Sequence, residues 1–126
     1  MKLINCLVIF SIFVINVALS KEKPPFKNIL VLDKPKVYKQ IIFQDRDGNQ
    51  IDLNSINSDE IYILNFWATW CAPCKEEMPS LDKLQIVENL NNLKIFPINV
   101  GNDSIEKSQK FFDDLNIKNL DFYYDN

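Results

Sequence analysis

The sequence predicts an α/β fold with a parallel sheet. Two almost continuous apolar runs, 61–67 and 93–100, are typical of strands that are buried on both faces of such a sheet. Between them, residues 76–90 carry apolar side chains at helical spacing. A strand, a helix and a second strand in this order form a β-α-β unit, which pairs its strands in parallel. The length of 126 residues allows one domain at most.

The N-terminal residues 1–20 are typical of a targeting segment. Lys2 precedes an apolar run at 3–19, and the small residues Ala18 and Ser20 fit a cleavage site at its end. We expect a signal peptide or membrane anchor here. A cleaved signal is favoured because the run is short for a spanning helix, and a buried core helix is the alternative.

The rest of the chain divides into a polar segment and a domain. Residues 21–36 are predicted to be a linker or extended N-terminal segment, and residues 37–126 a domain of the α/β class. The chain has 17 acidic and 14 basic residues and a net charge of −3. This mildly acidic balance gives no indication of a nucleic-acid surface.

A β-hairpin is predicted ahead of the β-α-β unit. Residues 37–43 are rich in β-branched and aromatic side chains. Residues 45–49, Asp-Arg-Asp-Gly-Asn, form a strong turn signal. Ile51 and Leu53 then alternate with polar neighbours. The sequence thus predicts two strands that are joined by this turn.

The second half of the chain predicts further elements. Pro79 is expected to bend the first helix, and Pro97 is unexpected inside a strand because proline cannot donate to a ladder. Asp103 and Glu106 form a possible capping box. One face of a second helix then carries Ile105, Phe112 and Leu115. A third strand is predicted at 121–125.

The chain has three cysteines and no histidine. Cys6 lies in the N-terminal apolar run, where its expected role is that of a small apolar residue, so Cys71 and Cys74 are the pair in the domain. Without histidine, the chain cannot form a Cys/His zinc site, a Ser-His-Asp triad, a Cys-His nucleophile pair or a c-type haem attachment site. A disulfide between Cys71 and Cys74 would close a loop with only two residues between the cysteines, which stabilises a fold little. A redox role is therefore favoured over a permanent disulfide.

The Cys71–Cys74 spacing, between a predicted strand and a predicted helix, favours thiol–disulfide exchange. The helix N-terminus stabilises a thiolate at the first cysteine, which lowers its pKa and increases the thiolate fraction at neutral pH. Cys71 is expected to form a mixed disulfide that Cys74 resolves. Pro73 fixes the helix entry, and Trp67 and Trp70 are expected to shield the sulfurs and to offer an apolar docking surface.

The stretch from Asn65 to Pro79 resembles the active site of thioredoxin-fold proteins. More narrowly, it resembles exported TlpA/ResA-type thiol–disulfide oxidoreductases, with a looser likeness from Val37 to the end of the chain. The predicted hairpin is similar to the N-terminal extension of that group. The resemblance implies a thioredoxin-like fold with an N-terminal β-hairpin extension.

The resemblance also implies roles for single residues. Cys71 matches the exposed nucleophile, and Cys74 matches the resolving cysteine. Glu77 matches an acidic residue that influences the proton chemistry of the dithiol. Asn65 stands where classical thioredoxin has a buried Asp, and because an amide cannot act as a base, Glu77 is the candidate for assisting proton transfer. The alternative for Glu77 is a solvated helix charge.

The C-terminal half of that family has no counterpart in this sequence. A cis-proline loop, two antiparallel strands and a last helix are expected there, and the sequence reaches Asn126 without them. We therefore expect an incomplete fold in which the strand at 61–67 lacks one neighbour.

The function implied is that of an exported oxidoreductase in the periplasm or at the outer face of the cytoplasmic membrane. Its partners would be protein thiol and disulfide substrates and a membrane-bound thiol donor, as in cytochrome c maturation, with no cofactor or metal. Three alternatives remain: a peroxidase, a copper-binding module that uses both thiolates, and an inactive fragment. The Pro-x-x-x-Thr/Ser-x-x-Cys pattern that is typical of such peroxidases is absent from the sequence.

Overall fold

The computed structural model of the protein describes residues 30–56 and 59–125. The predicted signal peptide or anchor at 1–20 therefore lies outside the described residues, as does most of the 21–36 segment. Residues 30–36 are exposed and have no helix or strand, and the residues from Val37 onward form a compact unit. Within the described residues, no helix has both the length and the apolar character that crossing a membrane requires.

The described part of the chain contains five strands and two α-helices. The strands are β1 (Ile42–Gln44), β2 (Gln50–Asp52), β3 (Ile61–Trp67), β4 (Leu93–Asn99) and β5 (Tyr123–Tyr124). The helices are α1 (Ala72–Gln85) and α2 (Ile105–Asp114), with short 3-10 helices at Leu53–Ser55 and Glu88–Leu90. This order confirms the prediction of a hairpin followed by β-α-β-α-β.

The strands form a mixed sheet in the order β2-β1-β5-β4-β3. β3 and β4 are parallel over their whole length, from Ile61 opposite Leu93 to Trp67 opposite Asn99. β5 is parallel to β4 and antiparallel to β1, and β1 is antiparallel to β2. β3 lies at one edge of this sheet, with β4 as its neighbour among the described residues.

The predicted turn between β1 and β2 is confirmed. The Asp45 carboxylate accepts hydrogen bonds from the backbone N–H groups of Asp47 and Asn49, and Gly48 has a φ of +83°, which glycine adopts readily. The prediction of a strand over 37–43 is too long, because pairing with β2 begins only at Ile42.

The first helix differs from its predicted bounds of 76–90. It begins at Ala72, because Cys71 is its N-cap, and it ends at Gln85. Its C-terminus is held to β4: the Gln85 side chain accepts from the Ile95 N–H (2.9 Å) and donates to the Leu93 carbonyl (3.2 Å). Pro79 lies inside the helix.

The second helix is capped by a different residue from the one predicted. Ser104 is the N-cap of α2, and its hydroxyl accepts from the Lys107 N–H (3.3 Å). The prediction of Asp103 as the cap was wrong, since its carboxylate bonds to another loop. Phe112 is buried as predicted, but Ile105 is 48% exposed and does not belong to the core face.

Pro97 lies in β4 at a position where its missing N–H costs no pairing with β3. Val100 donates its N–H to the Trp67 carbonyl, so by alternation the Pro97 nitrogen points away from β3. On that side β5 reaches only Ile98 and Asn99. The sequence could not show this, because it depends on how far β5 extends.

The sheet separates two apolar layers. Both helices pack on one face around Trp67, and on the other face the first 3-10 helix packs with apolar side chains of the strands around Phe43. The helical layer consists of Trp67, Cys74, Met78, Leu93, Ile95, Phe111, Phe112, Leu120 and Phe122. Because Cys74 belongs to this layer, one end of the dithiol site is part of the core.

Candidate active site

Cys71 and Cys74 are joined by a disulfide at the N-terminus of α1. Cys71 is the N-cap, and its Sγ accepts from the backbone N–H of Cys74 (3.3 Å). This is the position that a side-chain oxygen takes in an ordinary helix cap. On reduction, the same N–H and the positive end of the helix dipole stabilise a thiolate at Cys71. Pro73 lies in the first turn of the helix.

The two sulfurs differ in accessibility. Cys74 is only 5% exposed and packs with Trp67 and Met78, whereas Cys71 is half-buried beside the same cluster. A partner therefore reaches Cys71 more easily than Cys74.

The two tryptophans also differ. Trp67 is 1% exposed, and its ring lies 4.6 Å from that of Phe111. Trp70 is 75% exposed. The structure thus places Trp67 in the same buried cluster as Cys74, whereas Trp70 offers an apolar surface next to Cys71 in the sequence.

Asn65 and Glu77 are brought together across α1 and β3. The Asn65 Nδ2 donates to the Glu77 Oε1 (2.8 Å). Asn65 shares a face of β3 with Trp67, since the two lie two positions apart along the strand. The Glu77 side chain is exposed, and it follows Cys74 by three residues, which places it one turn along the helix. The Asn65 Oδ1 is buried and has no hydrogen-bond partner among the described residues.

A carboxylate from another loop holds the segment that precedes Cys71. Asp103 accepts from both the Thr69 N–H (2.9 Å) and the Thr69 hydroxyl (2.7 Å). It also accepts from the Asn99 Nδ2 (3.0 Å), and the Asn99 Oδ1 accepts from the Gly101 N–H (2.9 Å). The end of β4 and the loop after it therefore fix the backbone two residues before the disulfide.

Gly101 allows this close approach. A Cβ at this position would lie 2.6 Å from the Ala68 Cβ, 3.0 Å from the Asp103 Oδ2 and 3.2 Å from the Trp70 Nε1. Any larger residue would displace the loop that carries Trp70.

The electrostatics of this contact follow from its hydrogen bonds. Burial acts to raise the pKa of Asp103, but the bonds from the Thr69 N–H, the Asn99 amide and the Thr69 hydroxyl outweigh it, together with the attraction of Lys107. The pKa of Asp103 is therefore lower than its ordinary value, and the group is ionised at neutral pH.

Sequence reasoning missed Asp103, Thr69, Asn99 and Gly101 as parts of this site. The available signal was the position of Asn99 and Gly101 at the end of a strand parallel to the one that precedes Cys71, because the carboxyl ends of parallel strands meet at one edge. Among the described residues, no cluster of three or more His, Cys, Asp or Glu side chains is arranged to hold a metal ion.

The sequence profile of the AhpC/TSA family matches residues 35–125. The chain belongs to the AhpC/TSA family. The match spans the hairpin, the Cys71–Cys74 segment and α2, so it covers all the elements that build the site.

Two curated relatives match over shorter stretches. A thioredoxin-like protein of Bacillus subtilis, YneN, is 50% identical over 48 residues, which is 38% of this chain and 26% of that protein. The thiol-disulfide oxidoreductase ResA of Geobacillus kaustophilus is 33% identical over 73 residues, which is 56% of this chain and 41% of that protein. The chain thus spans less than half the length of either relative.

Solved structures agree on the fold. A thiol:disulfide interchange protein of the thioredoxin family from Chlorobium tepidum superposes with a TM-score of 0.58 at 22% identity, over 76% of this chain and 64% of that one. StoA from Bacillus subtilis gives a TM-score of 0.54 at 22% identity, over 72% and 67%. These likenesses confirm the predicted thioredoxin-like fold.

Proposed function

We propose that the protein is a thiol–disulfide oxidoreductase that exchanges its Cys71–Cys74 pair with protein substrates. The observation that carries the proposal is the placement of this pair: Cys71 caps a helix and is half-buried, while Cys74 is almost fully buried. Helix capping favours a thiolate at Cys71, and burial keeps Cys74 for attack on the mixed disulfide from within. The likeness to ResA supports this activity.

In the proposed cycle, the reduced Cys71 thiolate attacks a substrate disulfide, and one substrate sulfur leaves as a thiolate that takes up a proton. Cys74 loses its proton and attacks the Cys71 sulfur of the mixed disulfide. The second substrate sulfur leaves, and the Cys71–Cys74 disulfide forms. The substrate gains two electrons and the protein loses two.

We assign Glu77 to the proton step at Cys74. Its carboxylate is held by Asn65 one helical turn from Cys74, and a carboxylate can accept a proton that an amide cannot. The Asn65 Oδ1 is buried without a hydrogen-bond partner among the described residues, so it can accept a hydrogen bond but cannot take up the proton.

The setting of the activity is part of the proposal. The N-terminal residues 1–20 have the pattern of a targeting segment, which supports action outside the cytoplasm. We further propose that the protein acts there as a reductant, in a pathway such as cytochrome c maturation. A membrane-bound thiol protein would restore the dithiol. Sequencing the N-terminus of protein from an exporting host tests the targeting step: cleavage after Ser20 supports a signal peptide, whereas an intact Met1 in membranes supports an anchor.

Trapping of the mixed disulfide tests the activity. Reduced Cys74→Ser protein is mixed with an oxidised peptide, and the adduct is measured by mass spectrometry. We expect an adduct on Cys71, complete exchange by the wild type and none by Cys71→Ser. In the full 126-residue chain, Cys6→Ser is the matched control and should react as the wild type does. No peptide reduction by the wild type would overturn the proposal, and consumption of hydrogen peroxide in its place would favour a peroxidase.

A further inference from the structure

A small pocket lies directly beside the dithiol segment, between α1 and α2. Its volume is about 260 Å³, and its walls include Thr69, which is two residues before Cys71, and Lys75, which follows Cys74. Lys107 and Lys110 line it from α2, and Phe111 and Leu115 supply apolar surface. It is smaller than the pockets of roughly 300–1,000 Å³ that take cofactors or drug-sized ligands, and it suits one or two side chains.

The pocket is a locally basic site in an acidic chain. Three lysines line it, whereas the chain as a whole has a net charge of −3. Asp114 is the acidic residue in the lining, and it pairs with Lys110 at 2.8 Å. Asp103 also attracts Lys107, but its oxygens already accept hydrogen bonds from Thr69 and Asn99. Lys75 and Lys107 form no ion pair within 4 Å among the described residues.

We infer that this pocket binds an acidic side chain of the protein substrate, an Asp or Glu close to the cysteine that becomes linked to Cys71. The inference rests on the proposed function, because it assigns the pocket to the partner in the mixed disulfide. Both ends of the dithiol segment border the pocket through Thr69 and Lys75. A polypeptide that is linked to Cys71 therefore has the lysines within reach of its neighbouring side chains. The pocket would select substrates by charge and raise their rate of encounter.

Charge-varied peptides test the inference. Three oxidised peptides, identical except for Glu, Gln or Lys beside the reacting cysteine, are mixed with reduced wild-type protein, and second-order rate constants are measured by stopped flow. At about 0.02 M salt we expect the Glu peptide to react about threefold faster than the Gln peptide, since exposed ion pairs are weak, and the Lys peptide to react most slowly. At about 0.5 M salt the differences should vanish, because screening shortens the range of the charges.

Lysine variants distinguish the effect of the pocket on the peptide rates from the effect of the net charge of the protein. Lys107→Gln should lower the ratio of the Glu rate to the Gln rate about twofold, and the double change with Lys75→Gln should bring it close to one. Lys83→Gln removes the same charge from the other end of α1 and should leave the ratio as in the wild type. Equal rates for the three peptides, or an equal loss in Lys83→Gln, would overturn the inference.

A binding measurement keeps the two proposals distinguishable. The Glu peptide with both cysteines replaced by alanine is titrated into the oxidised protein, and backbone amide shifts are followed by NMR. Shifts centred on Thr69, Lys107 and Phe111 support the pocket even if no peptide is reduced, in which case the proposed function alone fails. Exchange without charge preference and without these shifts contradicts the pocket alone.

Discussion

The Asp103 carboxylate binds both the backbone N–H and the hydroxyl of Thr69, from a position 34 residues further along the chain. Hydrogen bonds to an ionised group are stronger than those between neutral groups. Since Thr69 is followed by Trp70 and Cys71, this contact sets the approach of the backbone to the disulfide.

Removal of that carboxylate should destabilise the protein. Asp103→Ala leaves the Thr69 N–H, its hydroxyl and the Asn99 amide without their acceptor, and we expect a loss of about 2 kcal/mol in the free energy of unfolding. Urea denaturation followed by tryptophan fluorescence measures it. Glu88→Ala, at an exposed acidic side chain, is the control, and equal losses in the two variants would contradict the assignment.

The same carboxylate predicts a pH dependence of stability. The pKa of Asp103 is lower in the folded protein than its ordinary value of 3.8. The ionised carboxylate therefore contributes fully to the free energy of unfolding at pH values above 3.8. The contribution is lost as the pH falls through the lowered pKa. The difference in unfolding free energy between wild type and Asp103→Asn should therefore shrink from pH 6 towards pH 3. A difference that stays constant or grows over this range would show that the charge of Asp103 is not responsible.

Gly101 and Gly48 form a matched pair for a test of loop packing. Gly101→Ala places a Cβ 2.6 Å from the Ala68 Cβ, so we expect a loss of about 1–3 kcal/mol together with a changed rate of disulfide exchange. Gly48→Ala meets no atom within 4 Å but has a φ of +83°. Its cost of about 1 kcal/mol should come without any change in exchange rate. A normal exchange rate in Gly101→Ala would show that the loop tolerates displacement.

Glu77→Gln tests the proton step. The amide keeps the size of the side chain but cannot take the proton of Cys74, so resolution of the mixed disulfide should slow by about tenfold or more near neutral pH. The first attack by Cys71 should be changed much less. Rapid-quench kinetics from pH 5 to pH 9 separate the two steps, with Glu76→Gln on the same helix as the control. If the rate of resolution depends on pH in the same way in both variants, Glu77 is a solvated helix charge and takes no part in the proton step.

Local patterns in the sequence predicted most of the fold, because they depend on neighbours in the chain. The apolar runs became β3 and β4, and residues 45–49 became the hairpin turn. Bounds were less accurate where a distant contact decides them. The strand over 37–43 starts only at Ile42, because it needs β2 as a partner, and Pro97 is tolerated because of the position of β5.

The residues of the candidate site also differ in whether the sequence alone can predict their roles. The chemistry of Cys71 and Cys74 can be predicted from their spacing and from the helix that follows. The role of Asp103 cannot, since the same pattern of Asp103 and Glu106 fits a helix cap, and only the folded chain places Thr69 within reach. A carboxylate can accept hydrogen bonds from several possible donors, and tertiary packing decides which of these donors it binds.

The contact between Asp103 and Thr69 involves neither sulfur atom. We therefore expect this anchor of the preceding loop, and with it the position of Trp70, to be the same whether the bond between Cys71 and Cys74 is open or closed. A scaffold that does not rearrange spends little free energy on reorganisation at each turnover. The rate of electron exchange would then be governed by the two thiols and their partner, with little contribution from motion of the backbone that carries them.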